Sequence, residues 1–252
     1  MSEAVTAAAF FDLDRTLMAG SSGLHWARAA TRAGLIPRRR LYLDAWANLQ
    51  FRLQGSTDES TQRVQERVSA IIAGRRPVEF ARMAPAVLAG VLPRLYPRML
   101  QVAWEHQDAG RRVYICTATT QETAELLASV LGFDGGIGTQ LEVDAGGVLT
   151  GRLVGPFNYG DGKPVRMRDL AGREGIDLAA SWAYSDSASD LPMLRAVGHP
   201  VVVNPDSELA RVAAQEGWEV LRFETLGRRL KIAAAVGAAA AIGAVARQAV
   251  RR

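Results

Sequence analysis

Short apolar runs alternate with amphipathic stretches over much of the chain. The apolar runs are rich in β-forming residues, and each ends in polar residues, as buried parallel strands do. They lie at residues 6–11, 112–116, 181–184 and 200–203. The stretches with helical periodicity are residues 121–131, 164–174, 188–197 and 207–216. This alternation predicts an α/β domain with a parallel sheet. A glycine-rich segment, residues 135–155, predicts a small hairpin.

The pattern changes between residues 18 and 110, where helical periodicity recurs without a convincing strand. Pro37 and Pro77 are placed to start helices. Pro93 and Pro97 are placed to break or kink the last helix of this region. The helical stretches are residues 24–33, 41–53, 61–72 and 80–106. We therefore predict a helical insertion that follows the first strand.

Two carboxylates and a hydroxyl follow the first predicted strand at alternate positions, Asp12, Asp14 and Thr16. Ligands of parallel sheets bind beyond the carboxyl ends of the strands, so these side chains are candidates for a catalytic site. The alternative is a turn in which Asp and Thr side chains satisfy backbone groups. The segment taken alone leaves both interpretations open.

Three further segments carry polar residues in corresponding places. Thr117 and Ala118 follow the second apolar run, Lys163 opens a predicted helix, and Asp186 and Asp190 follow the third run. In this order the four segments resemble the motifs of the haloacid dehalogenase-like (HAD) hydrolase superfamily, and the nearest branch is the phosphoserine phosphatase-like one. The segments read Phe-Phe-Asp-Leu-Asp-Arg-Thr-Leu (10–17), Tyr-Ile-Cys-Thr-Ala-Thr (114–119), Gly-Lys-Pro (162–164) and Tyr-Ser-Asp-Ser-Ala-Ser-Asp-Leu-Pro-Met-Leu (184–194).

The resemblance implies a fold and a division of the chain. The fold is a Rossmann-like parallel sheet flanked by helices, the HAD core, with an inserted helical cap domain. The core is expected in two parts, residues 1–17 and 111–227, and the cap at residues 18–110. Residues 228–252 are left as a basic and apolar C-terminal tail.

The resemblance also implies a reaction, the Mg²⁺-dependent hydrolysis of a phosphate monoester through an aspartyl-phosphate. Asp12 would be the nucleophile. Asp14 would protonate the leaving oxygen and afterwards activate the attacking water. The Mg²⁺ ligands would be the carboxylates of Asp12 and Asp186 and the backbone carbonyl of Asp14, which suits the preference of this ion for oxygen.

Five other residues would support that reaction. Thr117 and Ala118 would bind the phosphoryl oxygens. Lys163 would act as a catalytic cation that neutralises the phosphate charge and holds the nucleophile. Asp190 would orient the metal site or Lys163 from behind, and Thr16 would shape the first loop.

The expected partner is a small phosphorylated substrate, with phosphoserine a candidate. Phosphoserine-specific relatives usually place a glutamate shortly after the first motif, whereas residues 19–23 contain no acid. The competing interpretations are a phosphotransferase or mutase of the same fold, a membrane-associated phosphatase of a lipid-linked phosphate, and a catalytically idle scaffold. His25 either packs within the cap or faces the substrate.

The net charge of +4 does not indicate a nucleic-acid partner. Six basic residues follow Glu224, and without them 24 basic residues face 26 acidic ones. The basic tail surrounds an apolar run, residues 232–246, so contact of residues 228–252 with an anionic membrane competes with a docked or frayed helix. Cys116 has no internal disulfide partner and no secretory signal opens the chain, which predicts a cytoplasmic protein.

Overall fold

The computed structural model describes residues 6–37, residue 66 and residues 69–223. Its centre is a six-stranded sheet with the order β3-β2-β1-β6-β7-β8, in which every neighbouring pair is parallel. The strands are β1 (Ala8–Phe11), β2 (Arg112–Thr120), β3 (Gly135–Thr139), β6 (Trp182–Ser185), β7 (His199–Val203) and β8 (Glu219–Leu221). A separate antiparallel hairpin is made by β4 (Leu141–Val143) and β5 (Leu149–Leu153). The predicted parallel α/β sheet is confirmed.

Helices cover both faces of this sheet because each buried strand presents apolar residues to both sides. On one face Ala9 and Phe11 share a core with α4 and α5, and on the other Ala8 and Phe10 share a core with α6, α7 and α8. The helices are α1 (Ser22–Arg32), α2 (Pro77–Ala81), α3 (Ala84–Val91), α4 (Pro97–Asp108), α5 (Gln121–Leu131), α6 (Gly162–Glu174), α7 (Leu191–Leu194) and α8 (Ser207–Glu216).

The described part of the segment between β1 and β2 contains helices α1 to α4, as the insertion hypothesis predicts. Its two ends run side by side: the amide of Ala19 donates to the carbonyl of Arg94 at 2.7 Å, and the amide of Tyr96 donates to the carbonyl of Leu17 at 2.8 Å. The predicted helix at 41–53 and most of that at 61–72 lie outside the described residues. The domain boundaries therefore stay predictions.

The hairpin prediction for residues 135–155 was partly wrong, because its first five residues form an edge strand of the main sheet. Gly136 and Gly138 make this possible. A Cβ on Gly136 would lie 2.3 Å from the carbonyl carbon of Ala124, and one on Gly138 would lie 2.7 Å from Cα of Gln121. The glycines thus allow β3 to pass close beneath α5, whereas the sequence suggested turns.

Other boundaries also differ from the sequence-based expectations. Strand β2 runs on to Thr120, beyond the expected end at residue 116, and β8 was not predicted. The stretch 80–106 divides into three pieces, the short α2, α3 and α4, with a 3₁₀ turn at Leu92–Arg94 where Pro93 and Pro97 interrupt it. The helix expected at 188–197 shrinks to α7 and a preceding 3₁₀ turn.

Candidate active site

The first candidate segment forms a tight loop at the carboxyl end of β1. The amide of Asp12 donates to the carbonyl of Tyr184 in β6 at 3.0 Å, which places Asp12 between two central strands. Amides of Leu17 and Met18 both donate to the carbonyl of Leu13, at 3.1 and 3.0 Å. The side chain of Asp12 is consequently held, largely buried, at the edge of the sheet where ligands of such folds bind.

Lys163 lies in the first turn of α6 and joins two carboxylates from different segments, one just after β1 and the other in the 3₁₀ turn after β6. Its Nζ lies 2.6 Å from Oδ1 of Asp12 and 2.7 Å from Oδ2 of Asp190. The lysine side chain is 2% exposed. A hydroxyl from Ser185 donates to the same Asp190 oxygen at 2.7 Å. Predicted residues from three separate segments therefore meet in one buried ionic cluster, defined here as Asp12, Lys163 and Asp190.

Burial dominates the electrostatics of this cluster. It raises the pKa of Asp12 to about 7, although Lys163 opposes the rise. Burial alone would lower the pKa of Lys163, but the charges of Asp12 and Asp190 outweigh it, so the lysine pKa stays well above its usual value. Lys163 is therefore a permanent cation, as a group that neutralises a phosphoryl charge must be.

Asp186 is a further buried acid among the predicted site residues. Burial raises its pKa to about 8, while Arg15 opposes this rise. A guanidinium nitrogen of Arg15 lies 2.9 Å from Oδ2 of Asp186, but this oxygen accepts no hydrogen bond within the described structure. Arg15 itself has a left-handed φ of 65°, a conformation that costs a non-glycine residue about 1 kcal/mol.

Oδ2 of Asp186 faces a cation, Arg15, and accepts no hydrogen bond in the described structure, so this buried oxygen also fits a hard metal cation. Within the described ranges, no group of three or more His, Cys, Asp or Glu side chains forms a metal site. If a metal ion binds at this edge of the sheet, Asp12 and Asp186 would be its two carboxylate ligands. Mg²⁺ suits such a site because it usually takes one or two protein carboxylates and completes its shell with waters and phosphate oxygens.

Asp14 points to the helix that opens the insertion rather than to the lysine. Its Oδ2 accepts from the hydroxyl of Ser21 at 2.8 Å, and its Oδ1 accepts from the amide of Ser22 at 2.8 Å. Ser22 is the first residue of α1, so the carboxylate also lies at the positive end of that helix. Sequence reasoning missed both serines, although a serine before a helical stretch is a recognisable cap signal.

The remaining predicted site residues are Thr117, Ala118 and Thr16. Thr117 is buried within the carboxyl-terminal half of β2, and Ala118 follows it. The hydroxyl of Thr16 is buried without a hydrogen-bond partner in the described structure. No hydrogen bond of this side chain therefore supports its predicted role in shaping the loop. Sequence reasoning also missed Asn158, which contacts this part of β2 and which no local pattern marks.

Two further candidates are located by the structure. The ring of His25 packs against the bare backbone of Gly90 in α3, where a Cβ would lie 2.2 Å from Nδ1 of His25. Burial, followed by the charges of Arg94 and Arg28, lowers the pKa of His25. Burial also raises the pKa of the Cys116 thiol to about 12, so this thiol stays protonated.

Comparison with known proteins agrees with this geometry. The profile of the haloacid dehalogenase-like hydrolases matches residues 9–195. A phosphoserine phosphatase of Mycobacterium tuberculosis, SerB1, is 36% identical over 98% of this chain and 82% of its own length. A histidinol-phosphatase of Neisseria meningitidis is 30% identical over 86% of this chain and 98% of its own. A Bordetella pertussis protein of unknown function has a crystal structure that superposes with a TM-score of 0.73, at 30% identity over 86% of this chain and 98% of its own.

The chain belongs to the haloacid dehalogenase-like hydrolase family. Within that family it is a phosphatase and is similar to the phosphoserine phosphatase branch. The resemblance drawn from the four sequence segments is thereby confirmed. No helix within the described residues combines the length and the apolar character needed to cross a bilayer.

Proposed function

We propose that this chain is a Mg²⁺-dependent phosphomonoester hydrolase that works through an aspartyl-phosphate on Asp12. The observation that carries the proposal is the buried cluster in which Lys163 holds Asp12 and Asp190, together with buried Asp186, whose Oδ2 pairs with Arg15 but accepts no hydrogen bond in the described structure. A structural ion pair of Lys163 with Asp12 and Asp190 does not require a third buried acid, since burial of a further carboxylate costs stability.

We assign separate tasks to the two oxygens of Asp12. Lys163 binds Oδ1, which leaves Oδ2 to attack phosphorus. The new Oδ2–P bond forms as the bond from phosphorus to the leaving oxygen breaks, and Asp14 gives that oxygen a proton. Water then attacks phosphorus, Asp14 takes the water proton, and the Oδ2–P bond breaks to release phosphate. Bound Mg²⁺ would offset negative charge on the carboxylates and phosphoryl oxygens.

Ser21 and Ser22 orient the proposed acid and base of this cycle. The hydroxyl of Ser21 and the amide of Ser22 donate to the two oxygens of the Asp14 carboxylate. Because Ser22 begins α1, the inserted helices are linked directly to the proposed general base.

The proposal is tested by phosphate release from para-nitrophenyl phosphate, with Mg²⁺ and with EDTA. Wild type should release phosphate only with Mg²⁺, and Asp12→Asn should lose the activity by about 10³-fold or more, since the nucleophile is gone. Asp144→Asn, in the exposed turn between β4 and β5, is the control and should behave as wild type. Retained activity in Asp12→Asn would refute the mechanism. Transfer to an added alcohol without net phosphate release would support the phosphotransferase alternative.

The substrate we propose is a small phosphorylated metabolite, with phosphoserine as one candidate. The relatives named above suggest phosphoserine and histidinol phosphate as the first compounds to compare. Residues 19–23 supply serine hydroxyls but no acid for a substrate ammonium group. A panel of phosphoserine, histidinol phosphate, phosphoethanolamine and glycerol phosphate would rank them by kcat/KM, and equally slow turnover of all four would argue against a narrow specificity for any of them.

We also propose that the chain is cytoplasmic and that residues 228–252 bring it to anionic membranes. The support is the sequence alone, an apolar run at 232–246 flanked by basic residues. Wild type should sediment with liposomes of anionic lipid, and a shortened chain that ends at Gly227 should stay in the supernatant. Equal sedimentation of the two proteins would end this hypothesis.

A further inference from the structure

We propose that Asn158 and Thr139 are positioning residues that aim the peptide N–H of Ala118 at the phosphoryl group. The inference rests on the proposed phosphatase function. It goes beyond it because neither residue belongs to the four motif segments and neither is assigned a role by them. The basis is the set of hydrogen bonds that hold the backbone of β2 at the place where the phosphate is expected.

Strand β2 leaves its regular pairing at this point. Its register with β3 runs from Cys116 opposite Ile137 to Thr120 opposite Thr139. Three residues of β2 therefore face a single residue of β3, and the ladder is interrupted as in a bulge. Pairing of β2 with β1 has already ended at Ile115. Backbone groups of residues 117–119 consequently need partners from outside the two ladders.

Asn158 and Thr139 supply those partners. The side-chain amide of Asn158 donates to the carbonyl of Thr117 at 2.8 Å and to that of Ile137 at 2.7 Å. The hydroxyl of Thr139 donates to the carbonyl of Ala118 at 3.1 Å. The two positioning residues are themselves joined, since the backbone amide of Asn158 donates to the Thr139 hydroxyl at 3.2 Å.

Fixing these carbonyls also fixes the direction of the amides. In a planar trans peptide the C=O of one residue and the N–H of the next point in opposite directions. The carbonyl of Thr117 faces Asn158, so the N–H of Ala118 faces away from Asn158. The next amide, that of Thr119, is turned back to the Thr117 hydroxyl at 3.4 Å. The Ala118 N–H is thus the donor that this arrangement presents for an oxyanion.

Asn158 also links the phosphate strand to the lysine. It lies in the turn before α6, where the amide of Gly162 donates to the carbonyl of Tyr159 at 3.0 Å, and Lys163 follows directly. Gly162 must be glycine in this turn, because a Cβ there would lie 1.8 Å from the carbonyl oxygen of Phe157. One buried side chain therefore sets the spacing between Lys163 and the bulge of β2.

The burial of Asn158 argues against a role in stability alone. Asn158 is fully buried, and its Oδ1 has no hydrogen-bond partner in the described structure. A buried unsatisfied oxygen destabilises a fold, and in native proteins it calls for an explanation. Placement of a catalytic backbone donor is the explanation that we infer.

The test compares Asn158→Ala with a matched control, Gln121→Ala. Gln121 also clamps backbone with its side-chain amide, donating to the carbonyl of Gly136 and accepting from the amide of Gly138, both at 2.7 Å. Those bonds hold β3 but do not touch residues 117–119. Binding of inorganic phosphate is measured by calorimetry with Mg²⁺, and thermal unfolding is measured alongside.

We expect Asn158→Ala to bind phosphate about tenfold more weakly or worse, and Gln121→Ala to stay within about twofold of wild type, although both should unfold at lower temperature. Thr139→Val should weaken phosphate binding in the same direction, and Thr139→Ser, which keeps the hydroxyl, should restore it. The Thr139 pair decides the question where Asn158→Ala does not fold.

Equal phosphate affinity of wild type, Asn158→Ala and Thr139→Val would overturn the inference while leaving the proposed function intact. An equal loss in Asn158→Ala and Gln121→Ala would also overturn it, because the effect would then be general destabilisation. Wild-type protein that binds no phosphate in the presence of Mg²⁺ would overturn the proposed function, and the inference with it.

Discussion

Replacing Lys163 by methionine should destabilise the protein because two buried carboxylates lose their shared cation. Nζ of Lys163 lies 2.6 Å from Asp12 and 2.7 Å from Asp190. Methionine keeps much of the apolar stem and removes the charge. The consequence is therefore chiefly electrostatic, with little change in packing.

The size of the effect follows from these distances. The two carboxylate oxygens lie within about 5 Å of each other because both touch the same nitrogen, and at an effective dielectric constant of about 20 two unit charges at that separation repel by roughly 3 kcal/mol. Breaking a buried ion pair by removing one partner typically costs about 3–5 kcal/mol. For a protein of this size that lowers the unfolding temperature by roughly 6–20 °C.

The assay is thermal unfolding in EDTA at pH 8 and at pH 5. Burial already raises the pKa of Asp12 to about 7 while Lys163 opposes the rise, so without the lysine this pKa moves higher still. At pH 5 Asp12 then carries a proton, and most of the repulsion disappears. Lys163→Met should therefore fall further below wild type at pH 8, where Asp12 of the wild type is ionised, than at pH 5.

Two controls separate charge from packing. Arg166→Met removes a cation from the same helix, but Arg166 donates to the carbonyls of Val154 and Pro156, so its penalty should change little with pH. Adding Asp190→Asn to Lys163→Met should recover part of the lost stability, because it removes one of the two carboxylate charges. Equal unfolding temperatures of Lys163→Met and wild type at pH 8, or no recovery by Asp190→Asn, would refute the reasoning.

Three further predictions concern pH, packing and the metal. Burial lowers the pKa of His106 from 6.5 to about 4. Between these two pH values the unfolded chain binds the proton more readily, so the stability of the protein falls as the pH falls. The urea midpoint of wild type should drop across this window more than that of His106→Leu, and parallel profiles of the two proteins would contradict the lowered pKa of His106. Gly90→Ala should cost about 1–3 kcal/mol because its Cβ meets the ring of His25, whereas Gly172→Ala, in a helix with open space around it, should be neutral or stabilising; an equal effect of the two would count against the close contact. Mg²⁺ should raise the unfolding temperature of wild type but not of Asp186→Ala, and an equal rise in both would exclude Asp186 as a ligand.

The parts of the site that could be predicted from sequence are those marked by local pattern. Asp12 and Asp186 each follow a buried apolar run, and Lys163 opens a helix. Since carboxyl ends of parallel strands share one edge of a sheet, their approach follows once the sheet is inferred. Lys163 contacts Asp12 and Asp190 directly, whereas the catalytic roles expected for these residues stay predictions.

The parts that could not be predicted depend on tertiary contacts between distant segments. Asn158 bonds to the carbonyls of residues 41 and 21 positions earlier in the chain, Thr117 and Ile137. No spacing rule connects such positions. Strand β3 was missed for a related reason, because the glycines that let it pass beneath α5 are the same residue type that marks turns.

The role of Ser185 becomes visible only from its contacts, because the sequence shows it merely as the residue before Asp186, the proposed metal ligand. Its hydroxyl in fact donates to Oδ2 of Asp190, the same oxygen that Lys163 binds. Two donors on one oxygen fix the orientation of Asp190, whose Oδ1 is buried without a hydrogen-bond partner in the described structure. Ser185 therefore orients Asp190, which in turn binds Lys163. Its effect on the proposed nucleophile, Asp12, is exerted through these two residues.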